Sequence, residues 1–164
     1  MNFLILGMPN VGKTSLYNII TNNNQNIIHK SIGTTRDWHV SPLLNNSNIK
    51  VYDTPGVIKT KNDFLNKNLI KLINDVDYIL YVIDYKSDNY LNDKELINSL
   101  RKLNTKIILI VNKDDNHKQD KNLKLLGLKN IFYISCSHKL GFDDLINFFD
   151  KFKINNEHKN ETIN

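Results

Sequence analysis

The chain has 164 residues, 40% hydrophobic and 24% charged, a composition that suits one domain with a real core and excludes wholesale disorder. Its formal charge of +5 falls almost wholly on lysines in an Asn- and Lys-rich composition, which reads as a solvated face more readily than as a nucleic-acid patch. A single cysteine, Cys136, excludes an internal disulfide and fits a reducing cytosol. No secretory signal precedes the first apolar run, and no run approaches the ~20 residues of a membrane span, so a cytoplasmic chain is expected.

The first predicted element is a short strand, FLIL at 3–6, followed by a loop and a helix over 14–22. The segment 28–48 has no strong period. Within it HVSPLL reads as an edge strand, where Pro42 is tolerated. IKVY at 49–52, YILYVI at 78–83, KIILIV at 106–111 and IFYI at 131–134 are further strands, mostly apolar without alternation, as expected when both faces are covered. Between and after them, helical patterns fall at 64–74, 92–103, 120–126 and 142–152. In the last, Phe142, Leu145, Ile146, Phe148, Phe149 and Phe152 recur at helical spacing. This alternation predicts an α/β fold, a mostly parallel doubly wound sheet with helices on both faces. Residues 1–153 form the predicted domain, and 154–164 a polar tail or linker.

GMPNVGKT, Gly7 to Thr14, matches G-x-x-x-x-G-K-[ST] between a strand and a helix. Glycines there let the backbone wrap a phosphate chain, and the helix N-terminus adds partial positive charge. Gly7, Asn10, Val11, Gly12, Lys13, Thr14 and Ser15 are the candidate phosphate contacts. Lys13 would bridge β- and γ-phosphates, and the Thr14 hydroxyl would ligate Mg²⁺. DTPGV follows the strand IKVY, placing Asp53 where a Mg²⁺–water ligand should sit. The Gly56 N–H could then meet the γ-phosphate.

NKDD, Asn112 to Asp115, is a pattern this composition produces often by chance. Its place at the end of KIILIV carries the weight. An Asp115 carboxylate accepts from both N1–H and N2–H₂ of guanine, a donor pair adenine lacks. Asn112 would brace the loop and the Lys113 stem would lie along the base. In SCS, Ser135 to Ser137, a backbone N–H near Cys136 would donate to guanine O6, with Cys136 itself a packing residue. In SIGTTRDW, Thr35 is the candidate second Mg²⁺ hydroxyl, with Thr34 its rival. Arg36 suits an ion pair better than an arginine finger.

These motifs, in this order at strand ends, resemble the G domain of translation-factor-class P-loop GTPases over residues 2 to about 152, and imply a Ras-like fold. GMPNVGKTSLYN, GTTRD, DTPG, VNKDDN and ISCSHKLGFDDL are similar to the group of Era, MnmE and Der (EngA). LGLKNIFYISCSHKLGFDDLINFF most resembles the first G domain of Der. Two departures stand: Der has a second G domain and a KH-like domain, neither in this chain, and DTPG suits Era better than the first G domain of Der, while GTTRD is shared with MnmE and the second G domain of Der.

The resemblance implies GTP hydrolysis to GDP and phosphate with Mg²⁺. It implies a ribosomal subunit or assembly intermediate as partner, and a possible second G domain. A nucleotide-binding assembly module with negligible hydrolysis, or an MnmE- or Era-like role in tRNA modification or small-subunit maturation, are the alternatives. Val57 takes the place where many regulatory GTPases have a water-orienting glutamine, so slow intrinsic turnover is expected. Asn10 takes the place at which members of the group hold K⁺ against the phosphates; the alternative is that it only braces the loop. Lys13, Asn10, Thr35 and Gly56 are thus the candidate catalytic residues.

Overall fold

A computed structural model describes residues 1–21, 27–30, 37–60 and 63–160. The strands are β1 (Asn2–Gly7), β2 (Ile27–Lys30), β3 (Asp37–Leu43), β4 (Asn46–Asp53), β5 (Tyr78–Asp84), β6 (Lys106–Asn112) and β7 (Ile131–Tyr133). The helices are α1 (Lys13–Ile20), α2 (Lys67–Asp75), α3 (Leu91–Arg101) and α4 (Phe142–Asn160). One seven-stranded sheet runs β2-β3-β4-β1-β5-β6-β7. From β4 to β7 neighbouring strands are parallel, whereas β2, β3 and β4 pair antiparallel.

The central strands lack alternation because both of their faces are dry. Phe3 and Ile5 of β1, Leu80 and Val82 of β5, and Ile108 and Ile110 of β6 pack beneath α1 and α4. Their neighbours Leu4 and Leu6, Ile79, Tyr81 and Ile83, and Leu109 and Val111 pack on the opposite face with α2 and α3. The side-chain period of two is present in the structure, but apolar residues occupy both phases. The chain passes from β1 outward to β4, then crosses by α2 to β5 on the other side of β1. Strand order reverses there, which opens a crevice at the carboxyl ends of β1, β4 and β5.

Four details differ from the sequence reading. HVSPLL is not at the edge of the sheet: β2 pairs outside β3, with Ile27 opposite Val40 and Lys30 opposite Asp37. That pairing stops before Pro42, whose partner is Lys50 on β4, and a register shift follows at Pro42/Leu43. The proline therefore sits where no ladder bond is asked of its nitrogen. Residues 120–126 form no α-helix, only a 3₁₀ turn over Lys124–Leu126. Gly127, left-handed at φ 61°, ends it at once, and Leu123 and Leu126 are buried at the three-residue spacing such a turn favours. Helix α2 begins at Lys67, because Asn66 caps it by accepting from the Leu69 N–H at 2.9 Å. Finally, α4 continues to Asn160, since no Gly or Pro follows Gly141 to stop it. Among the described residues no helix is long and apolar enough to cross a membrane.

Candidate functional site

The loop between β1 and α1 is shaped by contacts that leave no room for side chains. A Cβ on Gly7 would stand 2.4 Å from the Val82 carbonyl oxygen, and one on Gly12 would stand 2.2 Å from Asn112 Nδ2. Gly12 also holds φ 97°, a left-handed backbone that enters α1 without a side-chain cap. The first-turn N–H groups of α1 are therefore left to an anion. Lys13 curls back over the loop, Nζ donating to the Met8 carbonyl at 2.7 Å, and is only 6% exposed. Burial lowers its pKa, and the Asp53 charge pulls it back up. Val11 turns its side chain into the core, whereas Asn10, Thr14 and Ser15 are exposed.

At the end of β4, Asp53 faces this loop. Its Oδ2 accepts from the Thr14 hydroxyl at 3.1 Å, while Oδ1 is buried with no hydrogen-bond partner. Burial pushes the carboxyl pKa up, opposed by the Thr14 hydrogen bond and the Lys13 charge. A buried, half-satisfied carboxylate beside a hydroxyl is a donor set of hard oxygens that fits a Mg²⁺ ion. Beyond it the chain turns back onto the phosphate loop: the Val57 N–H donates to the Gly7 carbonyl at 3.0 Å, and a Cβ on Gly56 would meet Pro9 Cα at 2.7 Å. Val57 buries its side chain among Leu4, Leu6 and Phe64 and offers no polar atom to a water.

The end of β6 closes the other side. Asn112 is buried and bridges two loops, its Nδ2 donating to the Val11 carbonyl at 2.9 Å and its Oδ1 accepting from the Cys136 N–H at 3.0 Å. The N–H of Cys136 itself is thus taken, which leaves any donor to guanine O6 to its neighbours. Burial raises the Cys136 thiol to about 11, which disfavours the thiolate, and the side chain packs against the core. Lys113, at φ 70°, ties the phosphate loop to β5, with Nζ 2.8 Å from the Asn10 carbonyl and 2.7 Å from Asp84 Oδ2. Asp115 Oδ1 accepts from Ser135 Oγ at 2.7 Å and Ser137 Oγ at 3.2 Å, while Oδ2 accepts from Lys86 Nζ at 2.6 Å. The Lys86 and Ser135 hydrogen bonds hold the Asp115 carboxyl down at about 2.

The fold thus brings Gly7 to Ser15, Asp53, Gly56, Asn112, Lys113, Asp115 and Ser135 to Ser137 to one edge of the sheet. Thr34, Thr35 and Arg36 lie outside the described residues. Sequence reasoning missed two contributors. Asp84 holds Lys113 through one oxygen and the Lys86 N–H through the other. Lys86 holds Asp115. Asp84 ends the strand YILYVID, and that place at a carboxyl end was the signal available. Lys86 had none.

A family model described as 50S ribosome-binding GTPase matches residues 2–113. GTPase Der of Campylobacter jejuni is 33% identical over 157 residues, 92% of this chain and 34% of that protein. The tRNA modification GTPase MnmE of Mycoplasma mycoides is 32% identical over 164 residues, covering 98% and 35%. The chain therefore spans about a third of the length of these curated relatives. Among solved structures, Aquifex aeolicus Era bound to GDP·AlF₄⁻ is similar with TM-score 0.66 and 27% identity, over 92% of this chain and 56% of that one. An S. thermophilus NFeoB bound to GDP shares the fold with TM-score 0.74 at 22% identity, over 90% and 58%.

Proposed function

We propose, for a chain that belongs to the 50S ribosome-binding GTPase family and is a P-loop GTP hydrolase, that it works as a Mg²⁺-dependent cytoplasmic switch acting in large-subunit assembly. The observation that carries the metal dependence is the buried, unpartnered Asp53 Oδ1 beside the Thr14 hydroxyl. Bound Mg²⁺ would neutralise phosphate charge that develops during transfer. Thr14 and Thr35 would hold the ion directly, and Asp53 through water. Lys13 trades the Met8 carbonyl for phosphate oxygens, and the uncapped α1 N–H groups receive the rest of the chain. Gly56, pressed against Pro9 without a side chain, would offer its N–H to the γ-phosphate. Asp115 reads the base.

Hydrolysis then lacks a water-orienting side chain, because Val57 is buried, and turnover depends on added positive charge. Asn10 supplies a place for K⁺. Its backbone is fixed at φ 64° by the Lys113 bond to its carbonyl, and its exposed side chain makes no hydrogen bond among the described residues. That favours a free ligand over a loop brace. The test is GTP hydrolysis in KCl and NaCl at equal ionic strength. Turnover is expected to be faster in K⁺, with the preference abolished by Asn10→Ala and all turnover by Lys13→Ala. Equal rates in both salts would remove K⁺ from the scheme and leave the GTPase.

The large-subunit output rests on the family description and on the likeness to Der. Co-sedimentation with isolated ribosomal subunits, in GTP against GDP, tests it. The similarity to MnmE over nearly the whole chain makes a tRNA-linked output the second reading. Binding to neither subunit together with retention of tRNA-modifying partners would select it. Pairing with a second G domain, in the same polypeptide or another, is compatible with both.

A further inference from the structure

Guanine has to place two donors on Asp115, and in this structure the carboxylate is already engaged. Lys86 Nζ lies 2.6 Å from Oδ2, and the Ser135 and Ser137 hydroxyls lie 2.7 and 3.2 Å from Oδ1. A carboxylate offers about four acceptor positions, so three of them are filled before any base arrives. The two serines yield easily. Their hydroxyls rotate, and they stand 3.2 Å from each other, so either proton has another acceptor. The ammonium of Lys86 keeps its charge in every rotamer, and its nearest recorded carboxylate is Asp115.

Among the described residues nothing else holds the Lys86 side chain, which is 61% exposed. Its backbone, however, is pinned beside the base loop. The Lys86 N–H donates to Asp84 Oδ1 at 2.8 Å, and the Tyr85 N–H donates to the Asn112 carbonyl at 2.8 Å. The stem therefore starts within reach of Asp115 whether or not nucleotide is present.

Resting on the guanine-reading role proposed for Asp115, we infer that Lys86 is an affinity-determining residue of the base site: its ammonium competes with the guanine edge for Asp115 Oδ2 and limits how firmly guanine nucleotides are held. When the base lets go, Lys86 takes the vacated oxygen and delays its return. The Lys86 side chain is mostly solvated, so the competition is modest and it moves aside without unfolding anything.

The test is calorimetric binding of GDP and xanthosine diphosphate to the full chain and to Lys86→Met, Lys86→Arg, Asp115→Asn and the Lys86→Met/Asp115→Asn double variant. Xanthine carries an oxygen where guanine has its amino group, so an amide at 115 should move preference to the xanthine nucleotide. Lys86→Met is expected to tighten GDP by about two- to fivefold, the range an exposed ion pair supports. Lys86→Arg, which keeps the competing charge, should not tighten it, and Lys86→Met should have no effect on xanthosine diphosphate in the Asp115→Asn background. Unchanged or weaker GDP binding by Lys86→Met, with the xanthine switch intact, overturns the role of Lys86 alone. Failure of Asp115→Asn to shift preference overturns the guanine-reading role and this inference with it.

Discussion

Asp53 and Asp115 sit at opposite ends of one crevice and are tuned in opposite directions. Burial raises the Asp53 pKa, so protons compete for its carboxylate at a pH above the ordinary carboxylate range. Lys86 and Ser135 hold Asp115 at about 2, so it stays ionised through mild acid. Two consequences separate by pH. The preference for GDP over ADP without Mg²⁺ should stay flat as pH falls from 8 to 5, because the two diphosphates titrate alike, whereas the enhancement by Mg²⁺ should fade toward acid; fluorescence titrations with Mg²⁺ and with chelator read both.

The linkage signs follow the same split. The stability Asp115 contributes is present above about pH 4 and is lost as pH falls toward 2, because the unfolded chain binds the proton more tightly. Asp53 contributes most when protonated, and that contribution is lost as pH rises through its raised pKa. Gly12 gives the sharpest steric prediction. Gly12→Ala places a Cβ on Asn112 Nδ2 and forces a left-handed alanine, costing roughly 1–3 kcal/mol in a denaturant melt and breaking the Val11–Asn112–Cys136 bridge that joins phosphate and base loops.

At the scale of elements, α4 is held by aromatic packing across the sheet. The Phe149 and Phe152 rings sit 5.2 and 5.8 Å from Phe3, and Phe148 and Phe152 enclose Tyr78. Phe149 is 2% exposed, so Phe149→Ala should cost about 3–5 kcal/mol. Ending the chain after residue 153 keeps all of these rings, and should shift the melting midpoint far less than Phe149→Ala does. On the other face, Trp38 of β3 lines a pocket of ≈ 170 Å³ with Thr54, Val57, Ile58 and Phe64. It is the single tryptophan. Rearrangement of residues 54–60 around γ-phosphate should change its emission, so exchange of GDP for a non-hydrolysable GTP analogue is expected to shift the spectrum. An unchanged spectrum would mean that this segment keeps its place on the Gly7 carbonyl in both states.

For the whole molecule, ligand binding and stability are one quantity. The crevice draws on β1, β4, β5 and β6 together, so a nucleotide that fills it clamps the centre of the sheet. At ~100 times its Kd, GDP should add about 2.7 kcal/mol, some 5–10 °C in melting midpoint for a chain of this size. ADP at the same concentration should add little, because Asp115 finds no donor pair on adenine. Equal stabilisation by the two would count against base reading by Asp115. The same measurement on Lys13→Ala separates phosphate from base contributions.

The sequence by itself determined the parts whose chemistry is local. The glycines and lysine of GMPNVGKT, the carboxylate after IKVY and the amide and carboxylate after KIILIV each announce themselves within a few residues, and all lie at strand ends on one crevice. Three central strands, β1, β5 and β6, were legible too, because burial on both faces writes itself as unbroken apolar runs. Only the tertiary structure decided what depends on residues far apart in the chain. The added strand β2 draws its stability from pairing with β3, not from its own pattern. The helix expected at 120–126 gave way to a short turn, where Gly127 and the burial of Leu123 and Leu126 outweighed local helix propensity. Asn112 reaches Val11 across 101 residues. Lys86 meets Asp115 because parallel β5 and β6 end side by side, with Asp84 in register with Asn112. Spacing along a chain records what one element must do; which charges meet across two strand ends is fixed by sheet register, and no local window contains it.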